Sequence, residues 1–381
     1  MSVLKPLTLA ELQQRTSEAA VSPAPSFPAR HSLYVVGDSE RPPNVSASVT
    51  EVPSLPGTHR YRIDIEPGST FTFGMPSMPY KTIRRGGFSA PGHAHATRPH
   101  RPDHVPMTYV PAVPRPAKRF RQPRLMLKDK LVRPLEIFPP DRRQQLTDFS
   151  YPWGTTGRTV SPVGDGTVKV ASGTLVGPRH LLTASHCIGW QNAAGPSVSF
   201  APGFSNVPGK IGTANGIYGY SYRYINEQGD QLDVSEDYVV VVLDQRMGDA
   251  LGWMGTLTYS NDWDNDPYFY NIGYSSDLGH GLLPFWQGSV SFEDADNPGI
   301  FGQEGDGLYM DTESASVTTG NSGGPFFDYF TPLDPSFTAG WYIVSVVSAE
   351  GTLDWTFDDD NWAAGGSPMP DLVNEARNDY P

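Results

Sequence analysis

After residue 134 the apolar residues occur in short runs separated by glycine and polar residues. Residues 239–243 form an uninterrupted apolar run, which predicts a strand buried on both faces. Residues 168–176 and 180–183 flank a Gly-Pro turn and predict an antiparallel strand pair, and residues 343–347 predict a further strand. Short β-branched and aromatic runs at this spacing are typical of an all-β sandwich or barrel.

The pattern before residue 135 is different. Twenty of the 37 prolines lie in residues 1–134, and residues 90–123 are dense in Pro, His and Arg. That composition predicts an extended linker or partly disordered arm, which is poor material for a core. We therefore divide the chain into a basic, Pro-rich leader (1–134) and a second region (135–381).

The leader also contains local structure. Thr8 and Glu11 form a capping-box pattern, which predicts a short helix over residues 9–20. Residues 32–36, 59–65 and 70–73 have β-rich patterning. We expect a small strand-containing unit inside the leader.

Charge separates the two regions further. The chain has 381 residues and a net charge of −13, but residues 1–134 contain 19 Lys and Arg against 9 Asp and Glu, whereas the rest contains 9 against 32. Opposite charges attract, so we expect the leader to dock on the second region. A nucleic-acid partner is the competing interpretation. The basic residues lack the interleaved aromatic residues of a stacking platform, so we predict no such partner.

The only cysteine, Cys187, excludes an intramolecular disulfide. It could be a thiol nucleophile, but a buried small hydrophobic residue is the favoured interpretation, because a serine lies in a suitable turn elsewhere. The first twenty residues lack the apolar stretch of a signal peptide. No run approaches the roughly 18 apolar residues of a membrane span, so we predict no membrane association.

Three segments contain the groups needed for nucleophilic catalysis, in the order base, acid, nucleophile. They are residues 182–187 (LTASHC), 236–243 (EDYVVVVL) and 320–325 (GNSGGP). A serine hydroxyl is a weak nucleophile at neutral pH and needs a base to accept its proton and donors to stabilise the oxyanion.

His186 is the predicted base, because two leucines anchor the strand before it and leave the imidazole near the strand end. A lone histidine would favour a core role, but the other two segments favour catalysis. Asp237 is the predicted orienting acid, since it lies two residues before a run of four valines in a hydrophobic strand. Asp230, Asp233 and Glu236 are competitors that we expect to be solvated in a polar loop.

Ser322 is the predicted nucleophile. Glycines on both sides allow a tight turn and a close approach of substrate. The N–H groups of Gly320 and Ser322 are the predicted oxyanion donors. If residues 320–325 are considered without the other two segments, the alternative interpretation is a glycine-rich turn that contains a serine with no catalytic role.

Additional motifs resemble the chymotrypsin-fold serine peptidases, and within them the glutamyl-endopeptidase branch. They are residues 141–143 (DRR), 147–148 (TD), 151–153 (YPW), 171–177 (ASGTLVG) and 271–274 (NIGY). The resemblance covers residues 135–381 and not the leader. It implies two packed antiparallel β-barrels and a serine endopeptidase that forms an acyl-enzyme through a His-Asp-Ser triad, with no cofactor and no metal.

Some positions depart from the family pattern. Ala171 occupies the place of a cysteine that pairs with the one after the histidine in other members, Ser316 that of the trypsin-like aspartate, and Val347 that of a histidine in the glutamate-specific branch. These departures leave the preferred substrate side chain open between acidic and basic. The predicted substrate-binding residues are Thr318, Thr319, Ser348 and Glu350.

The family resemblance favours polypeptide substrates and a secreted protein, although no signal peptide is visible. The position and charge of the leader suggest a pro-segment, and hence a zymogen, with Arg133 and the Arg142-Arg143 pair as candidate processing points. A solvated basic tail is the alternative for the leader. A catalytically silent binding protein on the same fold, or an esterase, is the alternative for the whole chain.

Overall fold

The computed structural model describes residues 4–18, 33–37, 48–52, 59–64, 77–82, 95–111, 137–163, 168–206, 211–223, 234–296, 307–335, 337–350 and 361–381. The first elements in the chain are one helix and seven strands. They are β1 (Leu4–Pro6), α1 (Leu9–Glu18), β2 (Leu33–Gly37), β3 (Ser48–Val52), β4 (His59–Asp64), β5 (Tyr80–Thr82), β6 (Ala96–Thr97) and β7 (Gln144–Gln145).

The predicted capping box begins helix α1. The backbone N–H of Thr8 donates to the Glu11 carboxylate at 2.7 Å, and the N–H of Glu11 donates to the Thr8 hydroxyl at 3.3 Å. These bonds satisfy donors that would otherwise lack a partner at the start of the helix. The helix prediction is confirmed, although the helix ends at residue 18. The predicted strand unit of the leader is present as the antiparallel sheet β2-β4-β3, while residues 70–73 lie outside the described ranges.

Six strands that follow in the chain form a closed antiparallel barrel. They are β8 (Thr156–Pro162), β9 (Val168–Gly177), β10 (His180–Thr183), β11 (Ser199–Pro202), β12 (Ala214–Ser221) and β13 (Val239–Leu243). The strand order is β11-β8-β9-β10-β13-β12, and pairing of β11 with β12 closes the ring. The predicted pairing of β9 with β10 across the Gly-Pro turn is confirmed.

Strand β13 is buried on both faces, as its continuous apolar run predicted. All five of its residues are fully buried. Val239, Val241 and Leu243 pack in the first barrel with Leu175 and Leu181, whereas the alternate valines join the core between the two sheets. Alternation of side chains along a strand explains how one run serves two cores.

The remaining strands belong to a second sheet, and three further helices accompany them. The elements are α2 (Gly248–Leu251), β14 (Gly255–Leu257), β15 (Phe269–Gly273), α3 (Ser276–Gly279), β16 (Phe285–Val290), β17 (Asp294–Asp296), β18 (Gly307–Thr312), β19 (Pro325–Pro332), β20 (Gly340–Glu350), β21 (Asn361–Gly366) and α4 (Pro368–Asp379). The main strand order is β17-β18-β21-β20-β19-β15-β16-β7. The expected all-β architecture, with a closed antiparallel barrel and a second sheet as in the chymotrypsin-like double barrel, is therefore confirmed.

Trp153 is the centre of the core between the two sheets. It is fully buried, and its ring contacts Tyr270, Trp286, Phe327 and Trp341 at centroid distances of 5.3–6.2 Å. Edge-to-face aromatic contacts of this kind add to the free energy gained by burial. This core contains side chains of both sheets, and the strands next to the active-site candidates, β10, β13 and β19, contribute to it.

Parts of the leader belong to the same sheets. Strand β1 pairs with β19, β5 pairs with β12, and β6 pairs with β14. Leu4, Leu12, Met78 and Tyr109 are buried in the cores of these sheets. The expectation that residues 90–123 are poor material for a core is wrong for residues 95–111, since Tyr109 packs against Tyr329 and Trp341. The domain boundary after residue 134 stays a prediction.

Helix α4 ends the chain and is tied to the first barrel by Arg377. Its guanidinium Nε donates to the carbonyl oxygen of Val176 at 2.6 Å, Nη2 donates to the same oxygen, and the group lies over the Trp253 ring. Burial lowers the pKa of Arg377 to about 10. The helix therefore fastens the C-terminus to strand β9.

Candidate active site

His186 follows strand β10 in a single 3-10 turn, Ser185–Cys187. Strand β10 is fully buried between β9 and β13, so the backbone before the histidine is rigidly held. The imidazole itself remains 16% exposed. The structure therefore places His186 at a strand end with access to solvent, as its flanking leucines predicted.

Asp237 precedes strand β13, which neighbours β10 in the barrel. Its Oδ1 accepts the backbone N–H of His186 at 2.8 Å, and its Oδ2 lies 2.5 Å from the imidazole Nδ1. The Ser348 hydroxyl donates to the same Oδ2 at 2.6 Å. Three donors thus hold a carboxylate that is only 1% exposed, and the carboxylate in turn orients the imidazole.

The competing acids are in other places. Glu236 is 5% exposed and its carboxylate accepts a hydrogen bond from Arg223 Nε at 2.7 Å. The expectation that Glu236 is solvated is therefore wrong. Its carboxylate is nevertheless bound by Arg223. Asp230 and Asp233 lie outside the described residues.

Ser322 lies in the turn that precedes strand β19 and is partly exposed. The next residue, Gly323, has φ +76°, and a Cβ there would lie 2.2 Å from Thr183 Oγ1 and 2.7 Å from the Ala184 nitrogen. Only glycine allows this approach. The turn therefore abuts the residues that lead directly into His186, so the structure brings the segments of all three predicted residues together.

The predicted oxyanion donors are the N–H groups of Gly320 and Ser322. In the described part of the chain neither N–H donates a hydrogen bond. Gly320 has φ +96°, and a Cβ there would lie 2.3 Å from the carbonyl oxygen of Tyr274, so the turn needs glycine here too. Two unused backbone donors beside a serine are what an oxyanion site requires.

His186 and Asp237 interact closely, the carboxylate buried and the imidazole partly exposed. Burial acts against charge on both, but the negative charge of Asp237 raises the pKa of His186 well above its usual value. The positive charge of His186 and the three hydrogen bonds lower the pKa of Asp237. The two shifts describe one interaction, and it favours proton uptake at the imidazole.

Asn321 and Ser275 also shape this site, and sequence reasoning did not single them out. The Ser275 hydroxyl donates to Asn321 Oδ1 at 2.5 Å, and the same oxygen accepts the N–H of Thr318 at 3.3 Å. The side chain of Asn321 thereby closes the turn from inside. The position beside the nucleophile was a sequence signal for Asn321, whereas Ser275 had none.

Cys187 is buried with Ala171 and Ala184 in a small apolar cluster. Its Sγ lies 3.7 Å from His186 Nε2. Its burial agrees with the interpretation as a small hydrophobic residue. Ala171, the position of the missing cysteine, is indeed its neighbour.

The predicted substrate-binding residues differ in what they can offer. Thr319 is exposed. The hydroxyl of Thr318 donates to Asp277 at 2.6 Å, and that of Ser348 is committed to Asp237. These two residues can therefore offer a substrate their backbone more readily than their side chains. The side chain of Glu350 lies outside the described residues.

Arg143 connects the beginning of the second region to this neighbourhood. Its guanidinium binds the carboxylates of Asp141 and Asp277, and its side chain is only 2% exposed. Burial opposes the charge of Asp277, but the hydrogen bonds from Arg143 and Thr318 lower its pKa. Processing after Arg143 would require this buried network to open, and the other candidate, Arg133, lies outside the described residues.

Within the described residues no group of three His, Cys, Asp or Glu is placed to hold a metal ion. Among those same residues no helix is long and apolar enough to cross a membrane.

No protein-family model matches the chain, and no curated protein sequence matches it. Solved structures to which it is similar include a Glu endopeptidase in complex with MPD (19% identity, 64% of this chain and 100% of that chain, TM-score 0.46). Others are protease Anisep from Arthrobacter nicotinovorans (19%, 61% and 98%, TM-score 0.43) and a thermostable serine protease, AL20, from an extremophilic microorganism (16%, 59% and 98%, TM-score 0.43). All three are described as proteases or peptidases.

Proposed function

We propose that this chain is a serine endopeptidase in which Ser322 is the nucleophile, His186 the general base and Asp237 the orienting acid. The observation that supports this most strongly is the double hydrogen bond from the backbone and imidazole of His186 to the buried carboxylate of Asp237. A carboxylate in this position selects the tautomer with the proton on Nδ1 and leaves Nε2 as the acceptor.

The proposed reaction has two halves. Ser322 Oγ forms a bond to the substrate carbonyl carbon while its proton moves to His186 Nε2, and the carbonyl oxygen becomes an oxyanion beside the N–H groups of Gly320 and Ser322. The C–N bond then breaks as Nε2 returns the proton to the leaving amine. Water repeats the sequence on the acyl-enzyme, with His186 as the base, and releases the carboxylic acid and free Ser322.

Labelling with a fluorophosphonate, followed by digestion of a peptide library, tests this proposal. We expect the full chain to be labelled and to cleave peptides, and Ser322→Ala to do neither. His186→Ala should lose almost all labelling. His104→Ala, at an exposed histidine whose ring hydrogen-bonds Ala250, is the matched control and should react like the parent chain. Labelling that persists in Ser322→Ala would contradict the proposal.

The same experiment separates the alternatives. A catalytically silent binding protein would show neither labelling nor hydrolysis. An esterase would be labelled at Ser322 and would cleave activated esters, but it would leave the peptide library intact. The cleaved sequences would also identify the preferred side chain, which the departures at Ser316 and Val347 leave open. Secretion stays a prediction from the family resemblance.

We further propose that the leader docks on the peptidase region and restrains it. The pairing of β1, β5 and β6 with strands of the two sheets supports docking, and so do the opposite charges of the two regions. At physiological ionic strength, salt largely screens the attraction between exposed charges that are more than about 8 Å apart. Hydrolysis by the full chain should therefore rise with salt, and rise further in Leu12→Asp, which places a charge in the buried interface. Rates that do not change under either treatment would contradict restraint by the leader.

A further inference from the structure

Ser172 on strand β9 is bonded to the turn that contains Ser322 and has no assigned role. It is fully buried. Its N–H donates to the carbonyl oxygen of Ser322 at 2.9 Å, and its hydroxyl donates to the carbonyl oxygen of Gly320 at 2.7 Å. The same hydroxyl accepts the N–H of Tyr274 at 3.0 Å, and its carbonyl accepts the Thr183 hydroxyl at 2.6 Å. One residue thus joins the nucleophile turn to both sheets.

The two carbonyls held by Ser172 flank the peptide that contains the Ser322 N–H. Because a peptide unit is planar, fixing the carbonyl of Gly320 fixes the peptide plane between Gly320 and Asn321. Fixing the carbonyl of Ser322 does the same on the other side. The peptide between them contains the Ser322 N–H, a predicted oxyanion donor, and its own carbonyl, on Asn321, accepts the N–H of Gly324 at 2.7 Å. Ser172 therefore holds both neighbours of a peptide that is also bonded within the turn.

The preceding peptide contains the other donor. Its carbonyl, on Thr319, accepts the N–H of Ser276 at 2.9 Å, which directs the N–H of Gly320 away from that contact. Gly320 at φ +96° is the flexible joint between this peptide and the one that Ser172 holds. Glycine imposes little preference of its own, so this joint is restrained by the hydroxyl of Ser172 on one side of the peptide and by the bond from the Asn321 N–H to the carbonyl of Thr318, at 2.9 Å, on the other.

We propose that the Ser172 hydroxyl is a positioning group that keeps the N–H groups of Gly320 and Ser322 directed at the oxyanion. This inference rests on the proposed peptidase function. Ser172 does not touch substrate in this role; it acts through the carbonyl of Gly320. Removing the hydroxyl leaves that carbonyl and the Tyr274 N–H without their partner, and the turn relaxes.

A buried serine with satisfied hydrogen bonds could also be merely structural, and the barrel contains a matched example. Ser161 on strand β8 is 1% exposed, donates to the carbonyl oxygen of Ser197 at 2.6 Å and accepts the N–H of Gly189 at 2.9 Å. Ser161→Ala removes the same two kinds of bond as Ser172→Ala. Neither partner of Ser161 belongs to the nucleophile turn.

The test compares these two variants in the full chain. Peptide hydrolysis yields kcat and KM, and inhibition by a peptide boronate, whose tetrahedral adduct occupies the oxyanion site, gives a second readout. Loss of one oxyanion donor typically costs about 10² to 10³ in rate, so misdirection should cost about tenfold or more. In Ser172→Ala we expect kcat and boronate affinity to fall together by about that factor, with KM changed less than about twofold. Ser161→Ala should lose similar thermal stability and keep its kcat.

Equal losses of kcat in the two variants, or a loss confined to KM, would overturn the inference while leaving the peptidase function intact. Absence of Ser322-dependent hydrolysis in the parent chain would overturn both. If Ser172→Ala does not fold, Ser172→Cys and Ser161→Cys, which keep the shape of the side chain with a larger atom and a weaker donor, permit the same comparison.

Discussion

Acidification should destabilise the protein through one buried histidine. His180 on strand β10 is fully buried, and its Nε2 lies 3.1 Å from the carbonyl oxygen of Ala376 in helix α4. A neutral imidazole with its proton on Nε2 can donate to that oxygen. A charged imidazole would have to be solvated in a site that contains Arg377 and is closed to water, so protonation should loosen helix α4 from the barrel.

The magnitude follows from the pKa. Burial lowers the pKa of His180 from 6.5 to about 4, and the nearby charges of Arg377, Arg179 and Arg246 act in the same direction. The unfolded chain binds the proton first as pH falls, so stability decreases from about pH 6.5 down to about pH 4. Each pKa unit corresponds to about 1.4 kcal/mol, so the loss attributable to His180 is about 3 kcal/mol.

Urea unfolding of the parent chain and of His180→Gln between pH 7 and pH 4 measures this loss. Glutamine keeps an amide donor but does not titrate, so the parent chain should lose about 3 kcal/mol more than the variant over this interval. Other acidic and basic groups contribute equally to both proteins and cancel in the difference. His104→Gln, at an exposed histidine, should follow the parent. Parallel pH profiles for the parent and His180→Gln, or a titration midpoint for His180 above pH 6 by NMR, would refute the reasoning.

Three further predictions concern other buried contacts. Ser348→Ala removes a hydrogen bond to the Asp237 carboxylate, and a bond to a charged acceptor contributes about 1.5–3 kcal/mol. The variant should have a kcat lower by about tenfold or more in peptide hydrolysis, while its far-UV CD spectrum stays unchanged. Burial raises the pKa of Asp328 well above its usual value, so the parent loses stability as pH rises above about 4. Asp328→Asn should therefore have a higher melting temperature than the parent at pH 8, and the difference should be smaller at pH 4.5. An equal difference in melting temperature at both pH values would contradict this. Leu12→Ala in helix α1 should cost about 2–5 kcal/mol in urea unfolding if the helix belongs to the cooperative core, and an unchanged midpoint would show that it unfolds separately.

Much of the first barrel, and helix α1 of the leader, was predictable because the signals are local. The apolar run of β13, the Gly-Pro turn between β9 and β10, and the capping box of α1 each depend on residues within a few positions of one another. The leader was harder to interpret, because its prolines suggested an arm without a core. Tyr109 is nevertheless buried, since aromatic partners on β19 and β20 lie where the chain passes. Composition contains no information about such partners.

The three chemical segments and their order can be recognised in the sequence, because a glycine-flanked serine, a histidine at a strand end and an aspartate before a buried strand are local arrangements. Which of their groups meet depends on the fold. The hydrogen bond between His186 and Asp237 joins residues 51 positions apart, that between Ser348 and Asp237 spans 111, and that between Ser172 and Gly320 spans 148. These contacts depend on strand order and register, which are set by the packing of two cores rather than by any short stretch of chain.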